Sequence, residues 1–268
     1  MNEIRLIASD MDGTLLTSDK KMPADFARVL HALREKGVTF AVASGRQYDA
    51  LRRDFGELAS QIMFIAENGA LVVENDERLF IDPVPAHELP DIIRAGRGLE
   101  GVYAVVCRAG AALVESSASQ AFIDEMKMYY PSTQVVPDLA AASEAFDDVC
   151  KVAFYDEGDA KTHEMPVLEE RLGDRLAVIL SGANWVDIMK PGVNKGRAMR
   201  ILQEQRGLSP QQCMAFGDYL NDLELLESVG ESYAMDNALP EIKAAAKYIA
   251  PGNDEDGVMR VIRERFGL

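Results

Sequence analysis

The sequence has few cysteines, few histidines and a deficit of positive charge, and each shortage excludes a class of protein. Three cysteines and three histidines occur among 268 residues, and they stand singly, without the spacing of a disulfide framework or of a thiolate or imidazole metal site. Lysine and arginine together number 28 against 44 aspartates and glutamates, so the formal net charge is -16. We therefore expect no nucleic-acid partner and no anionic membrane partner, since both are polyanions. A small anionic substrate would have to meet cations placed locally.

Long apolar runs are also missing. No stretch approaches the roughly 18 apolar residues of a membrane span, and the N-terminal MNEIRLIASD lacks the layout of a signal peptide. With 48% hydrophobic residues, the chain is long enough to bury a sizeable core, as one large domain or two smaller ones. We predict a cytoplasmic globular protein that is a monomer or a weak homo-oligomer.

Apolar runs alternate with amphipathic helical patterns in the first and last thirds of the chain. The runs EIRLIAS, VTFAVAS and QIMFIAE predict strands, and the segments PADFARVLHALREKG and QYDALRRDFGEL predict the helices between them. Repeated strand-helix-strand units predict a parallel sheet with helical crossovers. The same alternation resumes after Pro191, so we expect both ends of the chain to share one Rossmann-like α/β core with helices on both faces.

The middle of the chain has a different pattern. The segment ALVVENDERLFID predicts a hairpin that turns at Asn75 and Asp76. Beyond it, two strand pairs, an extra strand and intervening helices predict an α+β sheet with helices on one face. We interpret this segment as an inserted domain, with a core domain at 1–83, the insertion at 84–188 and the core again at 189–268.

Polar side chains follow several predicted strands at the point where each strand ends. Ligands of open parallel sheets bind beyond these carboxyl ends. The polar sets are Asp10 with Asp12, Ser44 with Gly45 and Arg46, Lys195, and Asp218 with Asn221 and Asp222. A random chain would seldom place all four sets at strand-to-helix junctions.

The aspartate pair suits phosphoryl transfer. One carboxylate can attack phosphorus, while a second carboxyl donates a proton to the leaving oxygen and later takes one from water. The spacing alone does not decide which of Asp10 and Asp12 has which role. Gly13 would let the backbone approach a phosphate oxygen. Taken alone, DxDG is equally typical of a solvated turn.

The same residues suit a magnesium ion, whose preferred ligands are carboxylate and carbonyl oxygens. Asp10 and Asp218 would supply carboxylates, and Asp12 its carbonyl. Asp222 would hold a metal-bound water or orient Lys195. Taken alone, GDYLND is more typical of a helix start.

The remaining polar residues suit phosphate binding. Ser44 would donate its hydroxyl to a phosphate oxygen, and Lys195 would pair with both the phosphate and the attacking carboxylate. Singly, Ser44 is more typical of a helix cap and Lys195 of a surface lysine.

Together these motifs resemble the haloacid dehalogenase-like hydrolase superfamily, specifically its Cof-type phosphatases. The matching segments are DMDGT at 10–14, ASGR at 43–46, ENGA at 67–70, NKG at 194–196 and GDYLND at 217–222. The stretches VASGRQYDAL and IAENGALV look particularly like bacterial sugar phosphatases of this group. The resemblance covers essentially the whole chain, and it implies that the insertion is a cap domain of type C2.

The resemblance also implies roles for individual residues. Asp10 becomes the nucleophile and Asp12 the general acid/base. The implied phosphate-binding residues are Gly13, Ser44, Gly45, Lys195 and Asn221. The implied Mg²⁺ ligand is Asp218, to which the ligand chemistry above adds Asp10 and the carbonyl of Asp12. We predict Asp222 in a supporting position and Arg46 and Asn68 at the rim of the site.

We therefore predict a Mg²⁺-dependent phosphoric monoester hydrolase that acts on small phosphorylated metabolites, sugar phosphates above all, through an aspartyl-phosphate. A sugar phosphomutase of the same superfamily remains an alternative, because it forms the same intermediate. A non-catalytic protein that binds a phosphometabolite is the alternative from another class. Isomerisation in the presence of a bisphosphate would identify the first, and ligand binding without turnover the second.

Overall fold

The computed structural model describes residues 3–268, which form two compact units. The first unit contains residues 3–46, 55–80 and 194–268, and the second contains 47–54 and 81–193. Residues 47–54 thus pack with the second unit. The division into domains at 1–83, 84–188 and 189–268 stays a prediction.

The described chain contains fourteen strands and ten α-helices. The strands are β1 (Leu6–Ser9), β2 (Thr39–Ala43), β3 (Met63–Ala66), β4 (Leu71–Glu74), β5 (Glu77–Ile81), β6 (Val102–Arg108), β7 (Ala111–Glu115), β8 (Thr133–Val136), β9 (Val149–Asp156), β10 (Ala177–Gly182), β11 (Trp185–Met189), β12 (Cys213–Gly217), β13 (Glu231–Met235) and β14 (Tyr248–Ala250). The α-helices are α1 (Phe26–Glu35), α2 (Tyr48–Phe55), α3 (Leu89–Gly96), α4 (Gln120–Tyr129), α5 (Leu139–Ser143), α6 (Glu164–Leu172), α7 (Lys195–Arg206), α8 (Leu223–Glu227), α9 (Pro240–Ala245) and α10 (Gly257–Phe266). Short 3₁₀ helices lie at Gly56–Gln61, Glu67–Gly69, Ala86–Glu88, Pro210–Gln212, Leu220–Asp222 and Asn253–Glu255.

The first unit is built on an eight-stranded sheet with the order β14-β13-β12-β1-β2-β3-β4-β5. The pairs from β14 through β3 are parallel, and β4 runs antiparallel to β3. Every residue of β1 is buried, as expected for a central strand of a parallel sheet that is covered on both faces. The predicted α/β class is confirmed, with β1 at the centre of the sheet.

Local sequence explains the boundaries of several elements. The buried positions of α1 are Phe26, Val29, Leu30 and Leu33, the spacing of one helix face. Asn75 and Asp76 join β4 to β5 with φ of 53° and 60°. Two successive residues with positive φ form the turn that suits the twist of a two-residue hairpin, so the predicted turn lies where the sequence indicated.

The second unit is built on a six-stranded sheet with the order β10-β11-β9-β6-β7-β8. Helices α3, α5 and α6 pack with Val106, Val152 and Phe154 on one face, whereas α4 packs with Val105 and Ala153 on the other. The prediction that all helices lie on one face was wrong. Neighbouring strand residues point to opposite faces, and both faces of β6 and β9 are apolar, so each face requires a cover.

Two elements of the second unit were not predicted from the sequence. Strand β8 has no buried residue and pairs in parallel with β7, so its sequence TQVV has no apolar alternation to signal it. Helix α5 has only five residues, and it begins where the Asp138 carboxylate accepts hydrogen bonds from the Ala140 and Ala141 N–H groups. Among residues 3–268, every helix is too short or too polar to span a membrane.

Candidate active site

Strand order brings three of the predicted loops to one edge of the first sheet. Strand β1 lies between β2 and β12 and runs parallel to both. Asp10 directly follows β1, Ser44 follows β2 and Asp218 follows β12. The Asp10 N–H donates to the Phe216 carbonyl at 3.0 Å, which ties the start of the first loop to β12.

The loop after β1 turns sharply at Gly13. This residue has φ of +83°, and a Cβ built there would lie 2.4 Å from Asp218 Oδ2. Only glycine combines this backbone conformation with so close an approach. The Thr14 hydroxyl donates to Asp218 Oδ1 at 2.6 Å, so the two loops are held together.

A buried ion network occupies the centre of the site. Lys195 is fully buried, and its Nζ donates to Asp10 Oδ1 at 2.5 Å and to Asp222 Oδ1 at 2.6 Å. Lys195 is the first residue of α7, and the helix begins there because the Asn194 side chain accepts from the Arg197 N–H at 2.7 Å. The interpretation of Lys195 as a surface lysine is therefore wrong.

Asp222 uses both of its carboxylate oxygens within the protein. Its Oδ1 accepts from Lys195, and its Oδ2 accepts from the N–H groups of Asp218 and Tyr219 at 3.0 and 3.2 Å. Of the two functions considered for Asp222, the geometry favours orienting Lys195, because Oδ1 accepts directly from its ammonium while Oδ2 is fixed by two backbone N–H groups.

Burial and the surplus of negative charge shift the pKa values of the network. Burial raises the pKa of Asp10 to about 8, with Lys195 opposing the shift and Asp222 adding to it. Burial also raises the pKa of Asp218 to about 6, although the hydrogen bond from Thr14 acts to lower it. For Lys195 burial would lower the pKa, but Asp10 and Asp222 outweigh burial and raise it. Three carboxylates face one ammonium, so the site favours a further cation.

The acidic residues fit a divalent ion by their chemistry. Carboxylate oxygens of Asp10, Asp218 and Asp222 lie within 4.8 Å of one another. Among the described residues no donor reaches Asp218 Oδ2, and Asp10 Oδ1 accepts only from Lys195 and so keeps one of its about two acceptor positions. Both oxygens can therefore accept a cation, and Oδ2 of Asp10 is left without a donor from residues 3–268. An all-oxygen ligand set is typical of a hard cation such as Mg²⁺.

Asp12 has separate partners. Its Oδ2 accepts from Arg46 Nε at 2.9 Å, and its Oδ1 accepts from Arg46 Nη2 at 2.6 Å and from Lys20 Nζ at 2.8 Å. Burial alone would raise the pKa of Asp12, but the hydrogen bonds from Arg46 and Lys20 outweigh it and lower the pKa. Arg46 was predicted near the site, whereas Lys20 was not, because nothing in the spacing of a loop lysine signals such a contact.

Ser44, Gly45, Asn68 and Asn221 form a third group of contacts. Ser44 is buried and its hydroxyl accepts from the Arg46 N–H at 3.2 Å, while its carbonyl accepts from the Asn68 N–H at 3.0 Å. Asn221 Nδ2 donates to Asn68 Oδ1 at 3.1 Å, and a Cβ on Gly45 would lie 2.9 Å from that same oxygen. Helix α2 begins four residues after Ser44, at Tyr48, so Ser44 does not cap it.

Comparison with known proteins identifies the family. A family model described as haloacid dehalogenase-like hydrolase matches residues 7–262. The chain belongs to this family. The predicted family and the predicted hydrolase class are therefore confirmed.

This haloacid dehalogenase-like hydrolase is similar to known proteins over almost its whole length. The 5-amino-6-(5-phospho-D-ribitylamino)uracil phosphatase YbjI of Escherichia coli K12 is 31% identical, covering 97% of this chain and 95% of that protein. The HMP-PP phosphatase of Escherichia fergusonii is 30% identical, covering 91% of this chain and 89% of that protein. A solved structure from Streptococcus mutans UA159 is 28% identical, has a TM-score of 0.84 and covers 99% of this chain and 100% of that chain. Both named relatives are phosphatases.

Proposed function

We propose that this chain is a Mg²⁺-dependent phosphatase that hydrolyses small phosphomonoesters, with sugar and polyol phosphates as the favoured class. The observation that carries the proposal is the buried Lys195 ammonium between Asp10 and Asp222. It fixes Oδ1 of Asp10 and leaves Oδ2 available for attack. The Escherichia coli relative supports the substrate class, since its name contains a phosphorylated ribityl chain.

In the first step, Oδ2 of Asp10 attacks the phosphorus atom. A bond forms between Oδ2 and phosphorus as the bond from phosphorus to the leaving oxygen breaks, with its electron pair on that oxygen. Asp12 gives its proton to the leaving oxygen and becomes a carboxylate. The products of this step are the free alcohol and an aspartyl-phosphate on Asp10.

In the second step, water attacks the phosphorus of the aspartyl-phosphate. Asp12 takes a proton from the water as the new phosphorus-oxygen bond forms. The bond from phosphorus to Oδ2 breaks and returns its electron pair to the Asp10 carboxylate. Inorganic phosphate leaves, and Asp12 carries the proton that the next cycle requires.

Other residues of the chain hold the phosphoryl group. Lys195 and the Ser44 hydroxyl bind its oxygens, as do backbone or amide N–H groups of Gly13, Gly45 and Asn221. Arg46 and Asn68 support them, because Arg46 holds Asp12 and Asn68 holds Asn221.

Mg²⁺ would be held by the carboxylates of Asp10 and Asp218 and by the carbonyl of Asp12. When bound, it supplies positive charge that offsets the negative charge of the phosphoryl group and of the carboxylates. Asp222 orients Lys195 by accepting a hydrogen bond from its Nζ.

The test is phosphate release from a panel of sugar, polyol, nucleotide and pyridoxal phosphates, with and without Mg²⁺. Wild type is compared with Asp10→Asn and with the control Asp19→Asn, which changes an exposed aspartate. We expect Mg²⁺-dependent turnover in wild type and in the control, and none in Asp10→Asn. Acid quenching during turnover should trap a phosphoenzyme in wild type and in the control, and none in Asp10→Asn.

Other results would identify another activity. Metal-independent turnover, or full activity of Asp10→Asn, contradicts the mechanism. Isomerisation of a sugar phosphate in the presence of its bisphosphate would indicate the phosphomutase alternative. Saturable binding of a phosphometabolite to an enzyme that turns over no member of the panel would indicate the non-catalytic alternative.

A further inference from the structure

We propose that Lys20 is a positioning residue that makes Oδ2 of Asp12 the oxygen through which protons are transferred. This inference rests on the proposed function, in which Asp12 is the general acid/base. It concerns a loop lysine that none of the sequence motifs includes.

The hydrogen bonds of Asp12 are unequally shared between its two oxygens. A carboxylate offers about four acceptor positions, about two on each oxygen. Oδ1 accepts from both Arg46 Nη2 and Lys20 Nζ, at 2.6 and 2.8 Å, and Oδ2 accepts only from Arg46 Nε, at 2.9 Å. Among the described residues no further donor reaches Asp12, so the remaining acceptor position belongs to Oδ2.

Arg46 alone would not create this inequality. Its guanidinium donates once to each oxygen, in the two-pronged arrangement that fixes the plane of a carboxylate. With Arg46 only, each oxygen would keep one acceptor position, and either could exchange a proton. The ammonium of Lys20 fills the second position on Oδ1 and so distinguishes the two oxygens.

Backbone hydrogen bonds close the turn that carries Lys20. The Lys20 N–H donates to the Thr17 carbonyl at 2.8 Å, and the Thr17 N–H donates to the Lys21 carbonyl at 3.0 Å. Lys20 has φ of 60°, a conformation that non-glycine residues rarely adopt and that is often found at functional sites. A surface ion pair adds little to stability, and the Lys20 side chain is 60% exposed, so stabilising the fold does not explain the contact of Lys20 with Asp12.

The inference predicts an effect that depends on the leaving group. A sugar alkoxide needs a proton as it leaves, whereas p-nitrophenolate is stable without one. Loss of Lys20 should therefore slow hydrolysis of a sugar phosphate and spare p-nitrophenyl phosphate. Because general acid catalysis contributes about 10²- to 10⁴-fold and misplacement forfeits only part of it, we expect a loss of about tenfold in kcat for the sugar phosphate.

The experiment measures kcat and KM for p-nitrophenyl phosphate and for the best sugar phosphate of the panel. The variants are Lys20→Met, which removes the ammonium, and Lys20→Arg, which keeps a donor. Lys21→Met is the matched control, because Lys21 pairs with Asp19 and not with Asp12. We expect Lys20→Met to lose kcat on the sugar phosphate while KM stays within about twofold, Lys20→Arg to recover most of the loss, and the control to match wild type.

Three outcomes would overturn the inference: equal losses of Lys20→Met on both substrates, wild-type kcat in Lys20→Met, or a loss that Lys20→Arg does not restore. Each of these is read on an active wild-type enzyme. A wild type that hydrolyses neither substrate would instead overturn the proposed function, and the inference with it. The two failures are thus distinguishable.

Discussion

Replacing Lys195 by methionine tests the buried ion network directly. The substitution Lys195→Met keeps the length of the side chain and removes the ammonium that lies 2.5 Å from Asp10 Oδ1 and 2.6 Å from Asp222 Oδ1. The Lys195 and Asp222 side chains are fully buried and that of Asp10 is 10% exposed. The Asp222 carboxylate would stay in the interior without a partner cation, and Asp10 would be held there mainly in its protonated form.

The expected loss follows from this burial. Removing one partner of a buried ion pair costs about 3–5 kcal/mol in the free energy of unfolding, because the remaining charge is left uncompensated. The matched control is Lys243→Met, since Lys243 pairs with Asp236 at 3.2 Å and the two side chains are 34% and 70% exposed. An exposed pair is worth about 0–1 kcal/mol, so the same chemical change should cost far less there.

The loss should also depend on pH. Burial raises the pKa of Asp10 from 3.8 in the unfolded chain to about 8 in the folded protein. Between these two pH values folding takes up a proton, so wild type loses stability as the pH rises from 3.8 to about 8. Without Lys195, which opposes that shift, the pKa of Asp10 is higher still. The variant should therefore keep losing stability above pH 8, by up to about 1.4 kcal/mol per pH unit relative to wild type.

Urea denaturation in EDTA, at about pH 6 and about pH 9, measures both effects. We expect the deficit of Lys195→Met to exceed that of Lys243→Met at both pH values and to be larger at pH 9. A deficit no larger than the control's, or one that does not change between the two pH values, would refute the reasoning. Chelation keeps bound cations from masking the charge that the substitution leaves behind.

Three further predictions concern a buried glutamate, a glycine and the cation. Glu164 is fully buried, and burial, followed by the negative charges of Asp156 and Asp187, raises its pKa from 4.5 to about 8. Ionising this side chain costs stability as the pH rises from 4.5 to about 8. At pH values above about 8 the variant Glu164→Gln should therefore have a higher Tm than wild type, whereas near about pH 5 the two should be nearly equal. A pH-independent difference, or the same gain in the exposed control Glu170→Gln, would contradict this. Gly13→Ala should lower the urea midpoint more than Gly37→Ala. Both glycines have positive φ, so each substitution costs about 1–2 kcal/mol of backbone strain, but only a Cβ at position 13 would also collide with Asp218. Equal losses in the two variants would show that the collision with Asp218 has no effect on stability. Millimolar Mg²⁺ should raise the Tm of wild type but not of Asp218→Asn, since only binding to the folded state stabilises it, and an equal rise in both would place the ion elsewhere.

Sequence patterns predicted the fold class and the hydrolase family correctly. Continuous apolar runs such as LIAS in β1 are typical of strands buried on both faces, and the hairpin turn at Asn75 and Asp76 could be read from residue type alone. The roles of individual residues stay predictions, including those of Asp10, Asp12 and Asp218.

Features that depend on distant contacts were missed. Helix α4 covers the opposite face of its sheet from α3, and β8 forms although all of its side chains are at least partly exposed. The position of α4 and the formation of β8 depend on which surfaces the neighbouring strands leave uncovered. The hydrophobic periodicity of one segment does not predict those surfaces.

The sequence by itself determined which chemical groups stand at the ends of the central strands, because strand ends and turn residues are local properties of the chain. Only the tertiary structure decided which of those groups contact one another. The start of α7 places Lys195 between Asp10 and Asp222, which lie 185 and 27 residues away along the chain. A single turn with positive φ brings Lys20 to Asp12. Hydrogen bonds act over about 3 Å, so the partners of each carboxylate exist only once the chain has folded.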